Sequence, residues 1–323
     1  MPDFAYNRRG KWRLDHDPAD DLDSGEYADF DDDEPVFAKR NRHRRRLPAA
    51  NAFDRVDGLP EGDRWSTWDE STAGERGPSP HPAWLVTELS ATDTELGILK
   101  TGKEADVFLL RRAVPGGDRS CLLAAKRYRS AEHRMFHRDS GYLEGRRVRE
   151  SRVGRAMAAR TTAGREMIAQ QWANAEFAAL SRLYLAGVPV PYPVQVLGTE
   201  VLLEFIGDAE GTAAPRLAET RPHGDELAGL WDQLVQALVA LARDGLAHGD
   251  MSAYNLLLHD GRLVLIDLPQ VVDVIANPRG PEFLDRDAAN VARWFAARGL
   301  AGATPDPADL AGLLREEAGL GPV

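Results

Sequence analysis

The chain is 323 residues long, 43% of them hydrophobic, and its formal net charge is −11 at pH 7. This length and apolar content allow either one two-lobed domain or two small domains with a sizeable core. The negative balance excludes a molecule that coats nucleic acid with its whole surface, although local basic patches are compatible with it. No stretch of about 18 uncharged apolar residues is present, so no membrane span is predicted.

Cys121 is the single cysteine of the chain. An intramolecular disulfide is therefore excluded, which fits a reducing cytosol. The first residues are charged and unlike the apolar core of a signal peptide. We therefore expect a soluble, cytoplasmic protein with no membrane partner.

Residues 1–80 differ in composition from the rest of the chain. The segment 15–34 has eleven acidic residues and no Lys or Arg, and six of the eight residues at 39–46 are basic. Such blocks bury too little apolar surface to offset chain entropy, so we expect a disordered tail with an acidic and a basic part. The basic run is either a solvated segment balanced by its acidic neighbour or a nucleic-acid contact, and the sequence leaves both open.

From residue 84 onward the apolar pattern is that of a folded domain, which we place at 85–300. Short apolar runs between polar turns predict strands at 96–99, 105–110, 121–125, 194–197 and 201–206, and a hairpin at 256–266. Helical spacing predicts helices at 227–241 and 282–297, and an earlier helix before Gly187 whose apolar stripe is Met167, Ile168, Trp172, Ala175, Ala179, Leu180 and Leu183. Residues 127–165 are basic and weakly periodic, which indicates a loop or a loosely held helix, and residues 301–323 are expected to be a C-terminal extension with a short helix. This order predicts an α+β fold with a small five-stranded lobe that holds one main helix, followed by a mostly helical lobe.

The segment HGDMSAYN at 248–255 carries the strongest chemical signal. Asp250 and Asn255 are five residues apart on one polar loop, and Asp267 follows at the end of the hairpin. Phosphoryl transfer requires a carboxylate that orients the incoming hydroxyl and metal ions that neutralise the phosphates. Asp250 is the candidate catalytic residue for the first role, and Asn255 and Asp267 are the candidate metal ligands. The alternative is a polar turn in which Asp250 only caps a helix, and the added Asp267 favours the chemical interpretation.

A turn with one glycine joins the first two predicted strands, where residues 100–107 read KTGKEADV. Backbone N–H groups beside a glycine can approach a phosphate closely. With a single glycine and no Walker A spacing, this loop alone is interpreted by default as an ordinary hairpin turn. The candidate nucleotide-binding residues in it are Thr101, Gly102, Lys103, Glu104, Ala105 and Val107.

Lys126 ends an apolar strand, from which its ammonium can reach phosphate groups. Glu176 interrupts the apolar stripe of the following helix, and an inward-facing carboxylate is costly unless it is paired. We therefore expect a catalytic ion pair between Lys126 and Glu176. The alternatives are an edge-strand lysine and a glutamate at the margin of the stripe.

Together these motifs resemble the RIO family of atypical serine/threonine protein kinases. The similar segments cover roughly 85–298 in the family's order and spacing, and they read LKTGKEADVF, AAKRY, WANAEFAAL, GVPVPYPV, LLEFIGD, HGDMSAYN and IDLPQVV. The resemblance implies a protein-kinase-like fold without an ordinary activation segment, with ATP as cofactor and Mg²⁺, or Mn²⁺, as metal. It also implies nucleotide contacts by Lys126 and a hinge after Leu203, at which the backbone of Glu204 and Ile206 meets adenine.

The resemblance has one visible departure and one indication of the branch. Asp106 stands where the family usually has Asn, and no winged-helix module is readable before the kinase domain, which favours the RIO1-like branch. The basic stretch at 129–160 is similar to the loop that this family inserts after its third strand. By resemblance, Asp267 is also the aspartate that can be phosphorylated.

The resemblance implies transfer of phosphate from ATP to a protein or to the chain itself, or ATP hydrolysis as a switch. Two alternatives remain open. A small-molecule kinase of the aminoglycoside or choline type also uses HGDxxxxN and a following Asp. A ribosome- or RNA-associated binding protein would use the basic residues at 40–46 and 129–160.

Overall fold

The computed structural model describes residues 62–129, 162–269, 271–300 and 306–321, with only the backbone given for 162–165. The acidic and basic runs of the predicted tail, and nearly all of the basic stretch at 129–160, lie outside these residues. No helix in the described ranges is both long and apolar enough to cross a membrane.

The first half of the domain is built on an antiparallel sheet that has six strands in the described part of the chain. The five predicted strands are all present, and a short strand that the sequence did not predict is added at one edge. β4 has buried side chains at nearly alternate positions, as a half-buried strand requires. The strand order is β1-β2-β3-β4-β6-β5. The strands are β1 (Arg64–Trp65), β2 (Thr92–Thr101), β3 (Ala105–Ala113), β4 (Ser120–Tyr128), β5 (Pro193–Leu197) and β6 (Glu200–Glu204).

Helix α1 (Thr162–Leu185) packs on one face of this sheet. Its buried side chains are Ala169, Ala173, Glu176, Phe177, Leu180 and Leu183. The predicted position of its apolar stripe is therefore wrong: the half-buried members of that stripe are Met167, Ile168, Trp172, Ala175 and Ala179. Because the helix is rich in alanine, its hydrophobic periodicity is weak and small side chains make much of the contact. The consequence is that Glu176 lies within the buried face and not at its margin.

Residues 64–91 cover the opposite face of the sheet. Trp68, Leu85 and Val86 from this segment form a core with side chains of the strands and of the loop before β5, namely Leu110, Cys121, Leu123, Ala125, Tyr192, Val194 and Leu202. Polar contacts add to this core. Arg64 donates a hydrogen bond of 2.7 Å to the Glu200 carboxylate, and the Gln195 amide donates one of 2.8 Å to the Thr67 hydroxyl.

The predicted end of the disordered tail at residue 80 is therefore wrong. Residues 62–80 contain β1 and the 3-10 turn Ala73–Glu75, and they pack on the sheet. The segment has few aliphatic residues and is held by one buried tryptophan and by polar pairs. Hydrophobic patterning, on which the boundary was based, does not detect contacts of this kind.

The second half of the domain is mainly helical. Its apolar core draws on every helix of this half and on the two strands of the predicted hairpin, both of which are present. The elements are α2 (Gly224–Arg243), β7 (Leu246–Ala247), β8 (Leu256–His259), β9 (Arg262–Leu265), β10 (Val272–Asp273), α3 (Gly280–Ala297) and α4 (Pro307–Glu317).

Helix α4 is the short helix expected after residue 300, but it is not an appendage. It packs against α2 and α3, and Leu310, Ala311 and Leu314 are buried in the core of the helical half. The folded domain therefore includes this helix and does not end at residue 300.

The covering segment yields a stability prediction. Trp68 is 5% exposed, so Trp68→Ala leaves a cavity against the sheet and is expected to lower the free energy of unfolding by about 3 kcal/mol or more. Denaturant unfolding of the full chain measures this loss. Trp65→Ala is the matched control, because Trp65 is 41% exposed and its removal is expected to have a clearly smaller effect. Equal effects of the two substitutions would contradict the packing described here.

Candidate active site

Lys126 is the point at which three separate elements of the domain meet. Its Nζ donates a hydrogen bond of 2.6 Å to Glu176 Oε1 on α1 and another of 2.9 Å to Asp267 Oδ1, which follows β9. The structure thus brings together the predicted pair of Lys126 and Glu176, and it adds Asp267 to that pair. Burial disfavours the Lys126 ammonium, but the Glu176 and Asp267 carboxylates outweigh burial and raise the pKa of Lys126 above its ordinary value.

Tyr128 is a member of this cluster that the sequence analysis missed. Its hydroxyl donates a short hydrogen bond to the second carboxylate oxygen of Glu176, so both oxygens of Glu176 are bound from β4. Burial, and next the Glu176 carboxylate, raise the pKa of Tyr128 well above its ordinary value, which keeps the phenol protonated as a donor. Strand periodicity could have indicated Tyr128, since it lies two residues after Lys126 and therefore on the same face of β4.

The loop that carries Asp250 is held in place by Asp287 of α3. The two carboxylate oxygens of Asp287 accept hydrogen bonds from the backbone N–H groups of Gly249, at 2.8 Å, and Met251, at 3.0 Å. His248 donates from Nε2 to the Ile266 carbonyl at 3.0 Å, which joins the loop to the end of the hairpin. The side chain of Asp250 itself is exposed and open to an incoming group.

The sequence analysis also missed Asp287, although the same reasoning that identified Glu176 applies to it. Asp287 is 1% exposed and lies on the buried face of α3 together with Leu284 and Val291. A carboxylate on such a face is costly unless it is bound. Burial raises its pKa, which the nearby His248 and the two backbone donors only partly offset.

The two candidate metal ligands lie at the ends of the hairpin strands. Asn255 donates from Nδ2 to the Asp250 carbonyl at 2.7 Å, so its amide oxygen is directed away from that contact. Asp267 has a backbone φ of 65°, in the left-handed region that is uncommon for residues other than glycine. Burial raises the pKa of Asp267, but Lys126 and then Lys100 more than offset this and lower it.

The glycine turn joins β2 and β3, the two strands between which the sequence predicted it. The Gly102 N–H donates to the Ala105 carbonyl at 3.0 Å, and a Cβ at Gly102 would come within 2.8 Å of that oxygen, so the turn requires glycine. Val107 pairs with Lys126 across β3 and β4, which places both side chains on one face of the sheet. Thr101 and Lys103 are exposed, whereas Glu104 is half-buried.

Asp106, at which the sequence departs from the family, is bound by Arg129. The guanidinium donates two hydrogen bonds, of 2.8 and 2.6 Å, to the two oxygens of the Asp106 carboxylate. An amide would leave Arg129 with only one acceptor oxygen at this position. The acidic residue therefore has a structural partner at the start of the basic stretch.

The predicted hinge follows β6. The backbone N–H of Glu204 donates to the Tyr192 carbonyl at 2.9 Å, and its carboxylate accepts from the Tyr192 N–H at 3.0 Å, so Glu204 is bound on both sides. Burial raises the pKa of Glu204. The Ile206 carbonyl accepts from the Ala214 N–H at 2.9 Å, and in the described ranges no group accepts from the Ile206 N–H. The N–H of Ile206 is thus a donor that a bound ligand can use.

Two further cations were not identified from the sequence: Lys100 lies near Asp267, and Arg216 lies near Lys100. Burial, and next the positive charge of Arg216, lower the pKa of Lys100, while Asp267 acts in the opposite direction. Neither cation forms a salt bridge with a carboxylate in the part of the chain that the structure describes. Lys126 and Lys100 therefore lie beside Asp267, with Arg216 near Lys100, and this concentration of positive charge favours an anion.

The support of the catalytic loop can be tested without an activity measurement. Asp287→Ala leaves two buried N–H groups without an acceptor, and we expect the free energy of unfolding to fall by about 3 kcal/mol. Asp287→Asn retains one acceptor oxygen and is expected to lose less. Chemical denaturation of both variants measures the difference. An unchanged stability of Asp287→Ala would contradict the anchoring role.

Comparison with known proteins places the chain in a family. A family model described as the RIO domain matches residues 123–308. The RIO-type serine/threonine-protein kinase Rio1 of Haloferax volcanii is 37% identical over 203 residues, which cover 63% of this chain and 63% of that protein. The serine/threonine-protein kinase RIO1 of Chaetomium thermophilum is 34% identical over 213 residues, which cover 63% of this chain and 40% of that protein.

A solved structure of the Rio2 kinase from Chaetomium thermophilum, an ADP/Mg²⁺-phosphoaspartate complex, is similar with a TM-score of 0.49 and 20% sequence identity, over 70% of this chain and 62% of that one. The chain spans less than two thirds of the length of the two Rio1 relatives. The RIO domain model extends from β4 into α4 and covers more than half of the chain, which confirms the family that the motifs predicted. The chain belongs to the RIO family.

Proposed function

We propose that the chain transfers the γ-phosphoryl group of ATP, with Mg²⁺, to a serine or threonine, either of another protein or of the chain itself. The observation that carries this proposal is the contact of Lys126 with both Glu176 and Asp267 beside the Asp250 loop. Members of the family with 34% and 37% identity are named serine/threonine-protein kinases. The fold that supports the proposal is a two-lobed, protein-kinase-like arrangement of the sheet half and the helical half.

The cleft suits ATP on two counts. Lys126 and Lys100 supply positive charge beside Asp267, with Arg216 near Lys100, and a triphosphate would neutralise this charge. The Ile206 N–H and the apolar face of β4 and β6 provide a donor and a flat surface for adenine. Residues 101–105 and Val107 would contact the phosphates, and backbone N–H groups near Gly102 would donate to the phosphate oxygens.

The residues present also suit a hard divalent cation. Mg²⁺ is usually held by one or two protein oxygens together with phosphates and water. The Asn255 amide oxygen and the Asp267 carboxylate are two such ligands, and Mn²⁺ accepts the same donors. When bound, the metal would neutralise charge that develops on the transferred phosphoryl group.

Each protein group then has a defined task. Asp250, whose side chain is exposed, orients the acceptor hydroxyl and accepts its proton. Lys126 binds phosphate oxygens, and Glu176, held by Tyr128, fixes the position of Lys126. Asp287 and His248 keep the Asp250 loop in place.

Family membership favours this function over the small-molecule kinase alternative. In the described residues between Asp267 and α3, which begins at Gly280, the one extended element is the short strand β10. This short connection offers little platform for an extended peptide, so a protein acceptor would have to be held by another part of the domain. Autophosphorylation or an ATPase switch also fits such a connection. By resemblance to the family, Asp267 is the candidate for a phosphorylated aspartate.

Contacts with ribosomal RNA through the basic segments at 40–46 and 129–160 remain a prediction from sequence, since nearly all of these residues lie outside the described ranges. A cytoplasmic location also remains a prediction. It agrees with the single cysteine, Cys121, which is free and buried.

The proposed roles of the two aspartates can be tested by isosteric substitution. Asp250→Asn and Asp267→Asn are each expected to lower phosphotransfer on the order of 10²-fold or more, because each removes a charge that acts on the transferring group. Transfer of labelled phosphate from ATP·Mg²⁺ measures the loss. Asp260→Asn is the control, since Asp260 lies at the exposed hairpin tip with a φ of 48° that asparagine also tolerates. Wild-type transfer by either active-site variant, at equal folding by circular dichroism, would refute the assignment.

Tyr128→Phe tests the support of the ion pair. The substitution removes one hydroxyl and keeps the ring, so the fold is expected to persist while phosphotransfer falls by about tenfold. In a Glu176→Gln background the same substitution is expected to have little further effect, because the two residues act through one contact. Strictly additive losses in the double variant would show that Tyr128 does not act through Glu176.

A further inference from the structure

Side chains on one face of helix α3 bind successive parts of the Asp250 loop. The Arg286 guanidinium donates to the Gly249 carbonyl, and the Asn290 amide donates to the Met251 carbonyl at 3.3 Å. The next position of this face is Trp294 and the one after it, at the end of the helix, is Arg298. Trp294 and Arg298 therefore lie on the side of the helix from which Arg286 and Asn290 contact the loop, and Arg298 is near enough to Tyr254 to be affected by its charge.

Tyr254 and two arginines form a surface at that end of the loop. Tyr254 is 62% exposed, in the 3-10 turn Ala253–Asn255. The Arg298 guanidinium stacks on the Trp294 ring at 3.5 Å from its centroid, which fixes the side chain and leaves its N–H edge able to bind. The turn packs against the 3-10 turn Leu217–Glu219, which leads into the exposed Arg221.

Within the described part of the chain, these two arginines have no acidic partner, unlike several other arginines of the surface. Burial lowers the pKa of Arg298. Tyr254 and Arg221 are also near enough to affect this pKa, Tyr254 by raising it and Arg221 by lowering it. Neither Arg221 nor Arg298 forms a salt bridge with a carboxylate of the described residues, whereas Arg182 and Arg243 do. Two neighbouring guanidinium groups without a counter-ion repel each other and are stabilised by an anionic ligand.

We propose that Tyr254, Arg221 and Arg298 form an acceptor-docking surface that selects protein segments with acidic residues next to the phosphorylated serine or threonine. This inference rests on the proposed function, because it places the acceptor hydroxyl at Asp250. Asp250 and Tyr254 are four residues apart on the same loop and both side chains are exposed, so a segment bound at Asp250 can extend over Tyr254. The phenol ring supplies contact area, and the two arginines bind carboxylates.

An acidic peptide fits this surface better than RNA does. Binding of nucleic acid requires many phosphate contacts along an extended basic face, whereas this surface has two unpaired cations. The chain as a whole carries a net charge of −11, so an acidic segment is attracted only where local positive charge is concentrated. The surface therefore acts as a local selector and not as a general anion binder.

The test compares two peptides on the full-length chain with ATP and Mg²⁺. One is a short peptide with a single central serine flanked by aspartates, and the other has asparagine in place of each aspartate. Phosphorylation of each is measured as kcat/KM, and binding of each is measured separately by fluorescence anisotropy. The variants are Arg221→Gln, Arg298→Gln and the pair combined, and the matched control is Arg262→Gln, which removes one exposed arginine at the tip of the β8–β9 hairpin.

The wild type is expected to prefer the acidic peptide by about fivefold or more in kcat/KM, and the double variant is expected to lose most of that preference. Added salt is expected to reduce the preference of the wild type in the same way, because it screens exposed charges. If Arg298→Gln disturbs folding, the single variant Arg221→Gln still tests the inference, because Arg221 is exposed and its substitution is not expected to affect the fold.

Several results would overturn the inference. These are equal use of the two peptides by the wild type, an equal preference in wild type and double variant, or a loss in the double variant that is confined to binding of a short single-stranded RNA. The inference is also contradicted if a variant loses ATP turnover, measured without peptide, as strongly as it loses peptide phosphorylation, since the residue then acts in the catalytic site. Absence of phosphotransfer from the wild type to any acceptor would instead refute the proposed function, and anisotropy would still report whether the surface binds acidic peptides.

Discussion

The buried ammonium of Lys126 is the constraint on which the arrangement of this domain depends. A positive charge that is almost withdrawn from water must be paired, and its two partners come from α1 and from the segment after β9. Strand β4, helix α1 and the end of the hairpin are therefore held within hydrogen-bond distance of one atom. The two halves of the domain meet at that atom, and the proposed chemistry takes place beside it.

The surroundings of Lys126 keep its partners in place. Tyr128 binds the oxygen of Glu176 that Lys126 does not, and Asp287 binds the loop that carries Asp250. Asp267 is held by Lys126 in an uncommon backbone conformation. Uncommon conformations that the surrounding contacts maintain are often found at functional sites, and the position of Asp267 agrees with that pattern.

The far side of the sheet is rigid for a different reason. Arg112 is fully buried there and binds both oxygens of Asp93, at 2.7 and 3.0 Å, while a third hydrogen bond of 3.1 Å reaches Gln195 on β5. These bonds connect three strands across the face that residues 64–91 cover. A substitution that removed one partner would leave a buried charge without compensation, which is strongly destabilising. The sheet around β4 is thus held on one face by the Arg112 hydrogen bonds and on the other by the contact of Lys126 with Glu176.

Much of this could be predicted from the sequence, because the chemical motifs and the strands are local patterns. HGDMSAYN, Lys126 and Glu176 were identified from residue types and spacing, and the structure brings the last two together. Contacts that join distant segments through polar side chains were missed, as at Asp287 and in residues 62–80. The stripe of α1 was placed wrongly because alanine contributes little to hydrophobic periodicity.

The cations around Asp267 were missed for a related reason. Lys100 and Arg216 are far apart in the sequence and come together only when the sheet half and the helical half are assembled. No local sequence pattern distinguishes them from the other basic residues. Their position became informative only beside Asp267 and Lys126.

The most direct test of the account is the dependence of ATP binding on Mg²⁺ in the purified full-length chain. Isothermal titration measures the affinity of the chain for ATP, first in the presence of Mg²⁺ and then in the presence of a chelator. The difference shows whether ATP binding depends on the metal that Asp267 and Asn255 would hold. The account predicts that Mg²⁺ increases the affinity for ATP, because the metal would be shared between the oxygens of Asp267 and Asn255 and those of the phosphates. Equal affinity with Mg²⁺ and with chelator would contradict the assignment of this cleft as a metal-dependent phosphotransfer site.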